Sequence, residues 1–148
     1  MSSGDPLSVR ELRLVVTATD FDEALRFYRD VLGLRERAVH SSPGGRVAIL
    51  EAGRATLEIT DPVHAEFIDR VEVGSRVAGH IRVAFKVQDA AAMAEQLTDA
   101  GARLIAEPTP TPWGSLNARL AGPAGLQLTL FSDVPAGDGT NGGRTQLD

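Results

Sequence analysis

Two arginines occupy equivalent places in an internal repeat of this sequence. The segment RLVVTATD at residues 13–20 matches RVAFKVQD at residues 82–89, and each runs from an arginine through a strand pattern into an aspartate. An arginine side chain stays protonated, has no lone pair to offer a metal, and presents a planar fork of N–H donors. Arg13 and Arg82 are therefore suited to binding a carboxylate, a phosphate or another oxyanion.

Other polar residues share the strand face of these arginines. Because side chains alternate sides along a strand, parity assigns each residue to one of two faces. One face of the predicted strands is apolar, and the other carries Arg13, Thr17, Thr56, Glu58, His80, Arg82, Gln127 and Thr129. Such a face is often simply solvated in antiparallel sheets. The alternative is a curved sheet whose polar, concave face lines a cavity.

Each arginine strand leads into a predicted helix. Asp20 and Asp89 are favourable N-cap residues, and Gly33 and Gly101 suit the position after a helix end. The first helix is predicted to bury an apolar stripe of Ala24, Leu25, Tyr28 and Leu32. Three further strand patterns follow each helix, which gives the order β-α-β-β-β twice.

This repeat predicts an α+β fold of two βαβββ modules, since internal repetition is a strong indicator of architecture. The predicted divisions are a loose N-terminus at 1–9, modules at 10–61 and 80–133, a connecting segment at 62–79 and a flexible tail at 134–148. Mixed polarity after Asp61 predicts a crossing loop. A short strand at 103–105 is expected to precede a Pro/Thr loop, EPTPTPWG.

Composition excludes several classes of function. The chain has 148 residues, a net charge of -5, no basic cluster and no cysteine, which disfavours nucleic-acid binding and removes thiol chemistry. No apolar run approaches the length of a membrane span, and no secretory signal is visible. These features predict a cytoplasmic protein that binds neither nucleic acid nor membrane.

Motifs spread over most of the chain resemble one known superfamily. TDFDEALRFYRDVLGL, TLEIT, VQDAAAMAEQLTDAGA, TPWG and GPAGLQLTLF are similar to motifs of the vicinal oxygen chelate superfamily, also called the glyoxalase/bleomycin resistance/dioxygenase superfamily. The resemblance implies a cup-shaped mixed sheet around a cavity, with helices on the outer face. It also implies, for the enzymes, one divalent metal held by His on the first strand and Glu on the last strand of each module.

Only one of these four metal-binding positions keeps a metal ligand in this chain. The first-strand positions are Arg13 and Arg82, and the last-strand positions are Glu58 and Thr129. We therefore expect no metal and no cofactor. His80 is expected at the rim of the cavity, whereas His40 and His64 are expected at the surface.

Three roles for the arginines remain open on the sequence. They could pair with Glu58 as a structural network, form a fork for an anionic ligand, or stabilise an oxyanion in metal-free catalysis with Glu58 as the base. The predicted function is metal-independent small-molecule binding by a homodimer, with antibiotic sequestration (self-resistance) as one form. The alternative is an enzyme: a lyase, an epimerase or isomerase, or a dioxygenase. Trp113 and Phe131 are candidate stacking residues, and the predicted ligand-binding set is Arg13, Thr17, Glu58, His80, Arg82, Trp113, Gln127, Thr129 and Phe131.

Overall fold

A computed structural model of the protein describes residues 8–134, which form one eight-stranded mixed sheet and three α-helices. The strands are β1 (Val9–Thr17), β2 (Arg35–Ser42), β3 (Gly45–Ala52), β4 (Ala55–Thr60), β5 (Ile81–Val87), β6 (Arg103–Pro110), β7 (Ser115–Ala121) and β8 (Gln127–Asp133). The helices are α1 (Phe21–Leu25), which continues as a π-helical segment (Arg26–Val31), α2 (Pro62–Glu72) and α3 (Ala90–Asp99), and a 3₁₀ turn spans Pro123–Gly125. The part of the predicted tail from 135 onward lies outside the described residues.

The strand order is β2-β3-β4-β1-β5-β8-β7-β6. The two arginine strands, β1 and β5, are antiparallel neighbours at the centre of the sheet. Each is also parallel to the last strand of its own repeat, β1 to β4 and β5 to β8. The prediction of an α+β fold built from two βαβββ repeats in one mixed sheet is confirmed.

Helices α1 and α3 pack on the outer face of the sheet through apolar side chains. Phe21 and Leu25 of α1 join a buried cluster with strands β3 and β4. Met93 and Ala94 of α3 join a second cluster with strands β5, β7 and β8. Since apolar burial contributes about 25 cal/mol per Å², these clusters hold the two helices against the sheet.

A third helix replaces the crossing loop predicted after Asp61. The Asp61 side chain accepts a hydrogen bond from the backbone N–H of His64 at 2.8 Å, and Pro62 occupies the first turn, so the segment begins α2. The prediction of a loop was wrong because α2 buries charged residues, Asp69 and Glu72, on the side that faces the sheet. The apolar stripe by which a packed helix is usually recognised is therefore interrupted in α2.

Helix α2 lies on the face opposite α1 and α3, which we call the inner face. Strand register and parity place on it Arg13, Val15 and Thr17 of β1, Val47 and Ile49 of β3, Thr56, Glu58 and Thr60 of β4, Arg82 and Ala84 of β5, Asn117 and Arg119 of β7, and Thr129 and Phe131 of β8. The two helices predicted from the sequence, α1 and α3, lie on the outer face as expected, and α2 is an additional helix on the inner face.

Contacts of α2 show that it crosses the inner face of the sheet. Near its start, His64 contacts the Gly44 carbonyl at the turn before β3, and near its end Asp69 and Glu72 contact Arg119 on β7. Its 11 residues span about 16 Å, so the helix bridges strands that are five positions apart in the strand order.

Two local predictions need correction. The helix after Asp20 changes from α to π geometry at Arg26, and its N–H bonds reach five residues back, as from Leu32 to Phe27. This change of helical phase leaves Tyr28 and Leu32 exposed instead of in the predicted stripe. Strand β6 extends through the start of the predicted Pro/Thr loop, which is compatible with Pro108 and Pro110 because β6 is an edge strand.

Among the described residues, no helix combines the length and apolar character needed to cross a membrane.

Candidate functional site

Arg13 lies at the centre of a buried polar network on the inner face. Its Nε donates to Thr56 Oγ1 at 3.0 Å and its Nη2 donates to Glu11 Oε2 at 3.0 Å. Its Nη1 lies 3.5 Å from Glu58 Oε1, and the guanidinium carbon stands 5.1 Å from the ring centre of Phe131. Arg13 and Glu58 are at most 1% exposed, so the pair is enclosed by protein.

Arg82 holds the equivalent place in the second repeat. Its Nη1 donates to Thr129 Oγ1 at 2.8 Å, and its side chain is 4% exposed. The two residues that replace the metal ligands of the second module therefore contact each other. Arg82 lies on the inner face, where it also lines a small cavity between α2 and the sheet.

Arg119, on β7, is a third buried arginine that the sequence did not single out as a site residue. Nη1 donates to Asp69 Oδ1 at 2.8 Å and to Gln127 Oε1 at 2.7 Å, and Nη2 donates to Glu72 Oε1 at 2.6 Å. Asn117 adds an amide donor to Glu72 Oε2 at 2.7 Å. Asp69 and Glu72 stand at helical i, i+3 spacing, which could have indicated a helix with a carboxylate pair on one face. The interpretation of this segment as a loop concealed that pattern.

The carboxyl group of Asp69 is held in its ionised form. Burial by itself would raise the pKa of Asp69, but backbone N–H donors from Ala78 and Val77 and the Arg119 guanidinium outweigh that effect, so the pKa is lowered. Glu11 shows the same balance: burial opposes ionisation, yet the Thr56 hydroxyl and the charges of Arg13 and Arg37 lower its pKa. Both carboxylates therefore remain negative partners for arginines near neutral pH.

Helix α2 covers part of the inner face. A small cavity of about 10 Å³ lies between α2 and the sheet, lined in part by Thr17, Asp69, His80 and Arg82. That volume is about enough for one water molecule. The space in front of these residues is therefore largely taken up by the protein's own helix.

An open groove lies outside this small cavity. It has a volume of about 500 Å³ and is lined by Thr17, His80, Arg26 and the rings of Phe27 and Tyr28, among others. Thr17 and His80 line both spaces, and the Thr17 N–H donates to the His80 carbonyl at 3.0 Å. Thr17 and His80 therefore lie where the groove and the small cavity adjoin.

The candidate stacking residues are packed inside the protein. Trp113 is 9% exposed, and its ring centre lies 6.1 Å from that of Phe67 on α2. Phe131 is fully buried beneath Arg13. His64 is also buried, with Nδ1 3.1 Å from the Gly44 carbonyl oxygen, so the expectation that it lies at the surface was wrong; His40 is exposed.

The residues at the metal positions do not fit a metal ion. Arg13 and Arg82 have no lone pair to donate, and Glu58 is already in contact with the Arg13 cation. Residues 8–134 contain no group of three or more His, Asp or Glu side chains arranged to hold a metal.

Comparison with known proteins agrees with this architecture. The family profile of the Glyoxalase/Bleomycin resistance protein/Dioxygenase superfamily matches residues 12–130. The chain belongs to this superfamily, and the resemblance seen in its motifs is confirmed.

The individual proteins that match this chain share only a limited fraction of its sequence. A probable lactoylglutathione lyase from Synechocystis sp. (strain ATCC 27184 / PCC 6803 / Kazusa) is 27% identical over 127 residues, which cover 81% of this chain and 92% of the relative. A hypothetical protein from Bacillus halodurans C-125 superposes with a TM-score of 0.63 at 21% identity, covering 86% of this chain and 95% of the other. A methylmalonyl-CoA epimerase from Streptomyces coelicolor, in complex with 2-nitronate-propionyl-CoA, gives 0.62 at 23% identity, covering 87% and 99%. At these identities the structural matches establish the fold alone.

Proposed function

We propose that the protein is a metal-independent small-molecule-binding member of this superfamily, whose ligand presents an anionic group to Arg82. The observation that carries the proposal is the pair of buried arginines at the two first-strand positions, where the superfamily's enzymes hold metal. Arg13 is paired with Glu58 and Glu11. Arg82 lines the small cavity, which shares Thr17 and His80 with the open groove, whereas Arg26 lines the groove itself. A ligand that passes from the groove toward the sheet would meet Arg82 at its inner end.

The groove accommodates the body of such a ligand. Its volume of about 500 Å³ lies within the usual range for small-molecule sites, about 300–1,000 Å³. Phe27 and Tyr28 stand edge to face at 5.1 Å, and both rings are accessible to a flat molecule. A planar acid that stacks on these rings would reach Arg82 past Thr17 and His80.

The proposal includes a biological use for the site and an assembly state for the protein. Antibiotic sequestration is one use of a site for planar acidic molecules, and a homodimer in the cytoplasm is the expected form of the protein. The remaining predicted contacts, Thr129 and Gln127, adjoin Arg82 and Arg119 and would orient the ligand through neutral hydrogen bonds.

A ligand screen on protein purified without chelator tests the proposal. Antibiotics and small aromatic acids are screened by thermal shift, and metal content is measured on the same sample. We expect Arg82→Gln to weaken binding of the best ligand by about 10- to 100-fold, because one charge-assisted hydrogen bond contributes about 1.5–3 kcal/mol. Arg10→Gln, an exposed arginine on the neighbouring strand, is the matched control and should leave affinity unchanged.

Two results would refute the proposal. One is stoichiometric Fe, Zn, Ni or Mn that is lost in Glu58→Gln. The other is ligand affinity that is the same in Arg82→Gln and in the wild type.

Metal-free catalysis is the second candidate, and the position of Glu58 favours it. Glu58 is a buried carboxylate on the same face as both arginines, so it is placed to act as a base beside groups that stabilise an oxyanion. Turnover of a bound ligand that disappears in Glu58→Gln, while binding persists, would establish this alternative.

A further inference from the structure

Helix α2 presents two carboxylates to one guanidinium inside the cup. Asp69 and Glu72 occupy Nη1 and Nη2 of Arg119, and Asn117 donates to the second oxygen of Glu72. In the described part of the chain, every carboxylate in contact with Arg119 comes from α2. The sheet therefore provides a carboxylate-binding site, and the protein fills that site with its own helix.

The site retains an unused hydrogen-bond donor. Nε of Arg119 is buried and has no acceptor among the described residues, although a buried charged group normally satisfies its donors. Two carboxylates borne on one helix thus leave part of the guanidinium fork unmatched. A free dicarboxylate can adjust its position to the fork, whereas Asp69 and Glu72 are fixed by the helix.

Helix α2 is attached in a different way from the other two helices. The three hydrophobic clusters among residues 8–134 contain no residue of α2. Its buried side chains include the charged Asp69 and Glu72 beside Ile68 and Ala65, and Phe67 packs against Trp113. A competing acid can take the place of Asp69 and Glu72, because a guanidinium makes the same charge-assisted hydrogen bonds to any carboxylate.

The path of an incoming acid leads to these contacts. Asp69 lines the same small cavity as Thr17, His80 and Arg82, just behind the open groove. Asp69 also holds the segment after α2 through Arg76 and the N–H groups of Val77 and Ala78. Release of Asp69 would therefore free both the helix and the segment that leads to His80.

We propose that Arg119 and Asn117 form a binding site for an acidic ligand, and that Asp69 and Glu72 of α2 occupy this site until such a ligand displaces them. The proposal rests on the proposed function, since it assumes that the inner face receives an anionic molecule. It identifies the ligand class as a compound with one or two carboxylates, and it assigns α2 the role of an internal competitor.

Succinate, a flexible dicarboxylate, is the probe. Its dissociation constant is measured by calorimetry for the wild type, for Glu72→Gln, which keeps the shape of α2 and removes one competing charge, and for Glu66→Gln, a matched control on the exposed side of the same helix. We expect Glu72→Gln to bind succinate at least about tenfold more tightly than the wild type, because a competing charge-assisted hydrogen bond is lost. Glu66→Gln should bind as the wild type does, and Arg119→Gln in the Glu72→Gln background should abolish binding.

A second measurement needs no variant. Succinate should increase hydrogen exchange of the amides in α2 and raise acrylamide quenching of Trp113, the single tryptophan, which packs against Phe67 of that helix. Equal succinate affinity in the wild type and Glu72→Gln, no binding to Glu72→Gln, or unchanged exchange of α2 at saturation would each overturn the inference.

These outcomes separate the inference from the proposed function. A screened ligand that depends on Arg82 but leaves exchange of α2 unchanged would retain the function and refute the role of α2. If neither succinate nor any screened acid binds the wild type or Glu72→Gln, both are refuted.

Discussion

The helices on the two faces of this sheet are held by different forces. On the outer face, α1 and α3 contribute Phe21, Leu25 and Met93 to closed apolar clusters. On the inner face, α2 is anchored by Asp69 and Glu72 against Arg119. Apolar contacts are non-directional and carry no titratable charge, whereas a buried ion pair depends on both partners being present and charged. The two outer helices are therefore held by apolar packing, whereas α2 combines the apolar contacts of Ile68 and Phe67 with a buried ionic anchor.

The largest expected effect comes from removing the cation under α2. Arg119→Met leaves Asp69 and Glu72 buried without their guanidinium, and breaking a buried pair in this way costs about 3–5 kcal/mol of unfolding free energy. Chemical denaturation followed by Trp113 fluorescence and by circular dichroism measures the loss. The triple variant Arg119→Met/Asp69→Asn/Glu72→Gln removes the uncompensated charges and should recover part of it. Failure to recover any stability would mean that packing, and not charge, dominates at α2.

An intermediate effect is expected at the turn that touches the start of α2. Gly45 has φ +102°, and a Cβ there would overlap the backbone nitrogen of His64 and lie 2.6 Å from Oδ1 of Asp61. Gly33 has φ +91° but no heavy atom within 4 Å of such a Cβ, so Gly33→Ala is a matched control that bears only the conformational cost, about 1 kcal/mol. We expect Gly45→Ala to cost about 1–2 kcal/mol more and to accelerate amide exchange in α2. Equal losses in the two variants would show that the N-terminus of α2 does not depend on this contact.

The smallest effect is a difference in pH dependence. Because the pKa of Asp69 is lowered in the folded protein, its ionised form stabilises the fold above the unfolded-state pKa of about 3.9, and this contribution is lost as pH falls through the folded-state pKa. Arg119 and Arg76 are the cations that face it. Urea denaturation between about pH 6 and pH 3 should show a steeper loss for the wild type than for Asp69→Asn. Met93→Ala, in the outer-face cluster, should keep the wild-type slope, and parallel curves for wild type and Asp69→Asn would contradict the ionic anchor.

Much of the fold follows from local sequence signals. The two aspartate caps, the two arginine strands and their shared spacing predict the repeat, and Gly33 and Gly101 do adopt positive φ after their helices. Strand parity also placed Arg13, Glu58, Arg82 and Thr129 on one face, where the structure finds them. These features depend on neighbouring residues and on the alternation of side chains, which a sequence displays directly.

The position of α2 could not be obtained in this way. Its polar residues face inward because they accept hydrogen bonds from Arg119 and Asn117, which lie on β7 about 50 residues later in the chain. A local pattern of Asp69 and Glu72 gives no indication of that partner, since it resembles an ordinary solvated stretch. The π-helical segment was not predicted either, because the spacing of its apolar residues matches that of an ordinary α-helix.

The sequence by itself determined the superfamily, the doubled module and the loss of the metal-binding residues, because each depends on residue type at positions fixed by the repeat. Only the tertiary structure decided that Arg13 is compensated, that Arg82 adjoins a cavity and that a third arginine is covered by α2. Those properties depend on the distances between charges that are remote in the chain, and strand pairing and the packing of α2 bring such charges together.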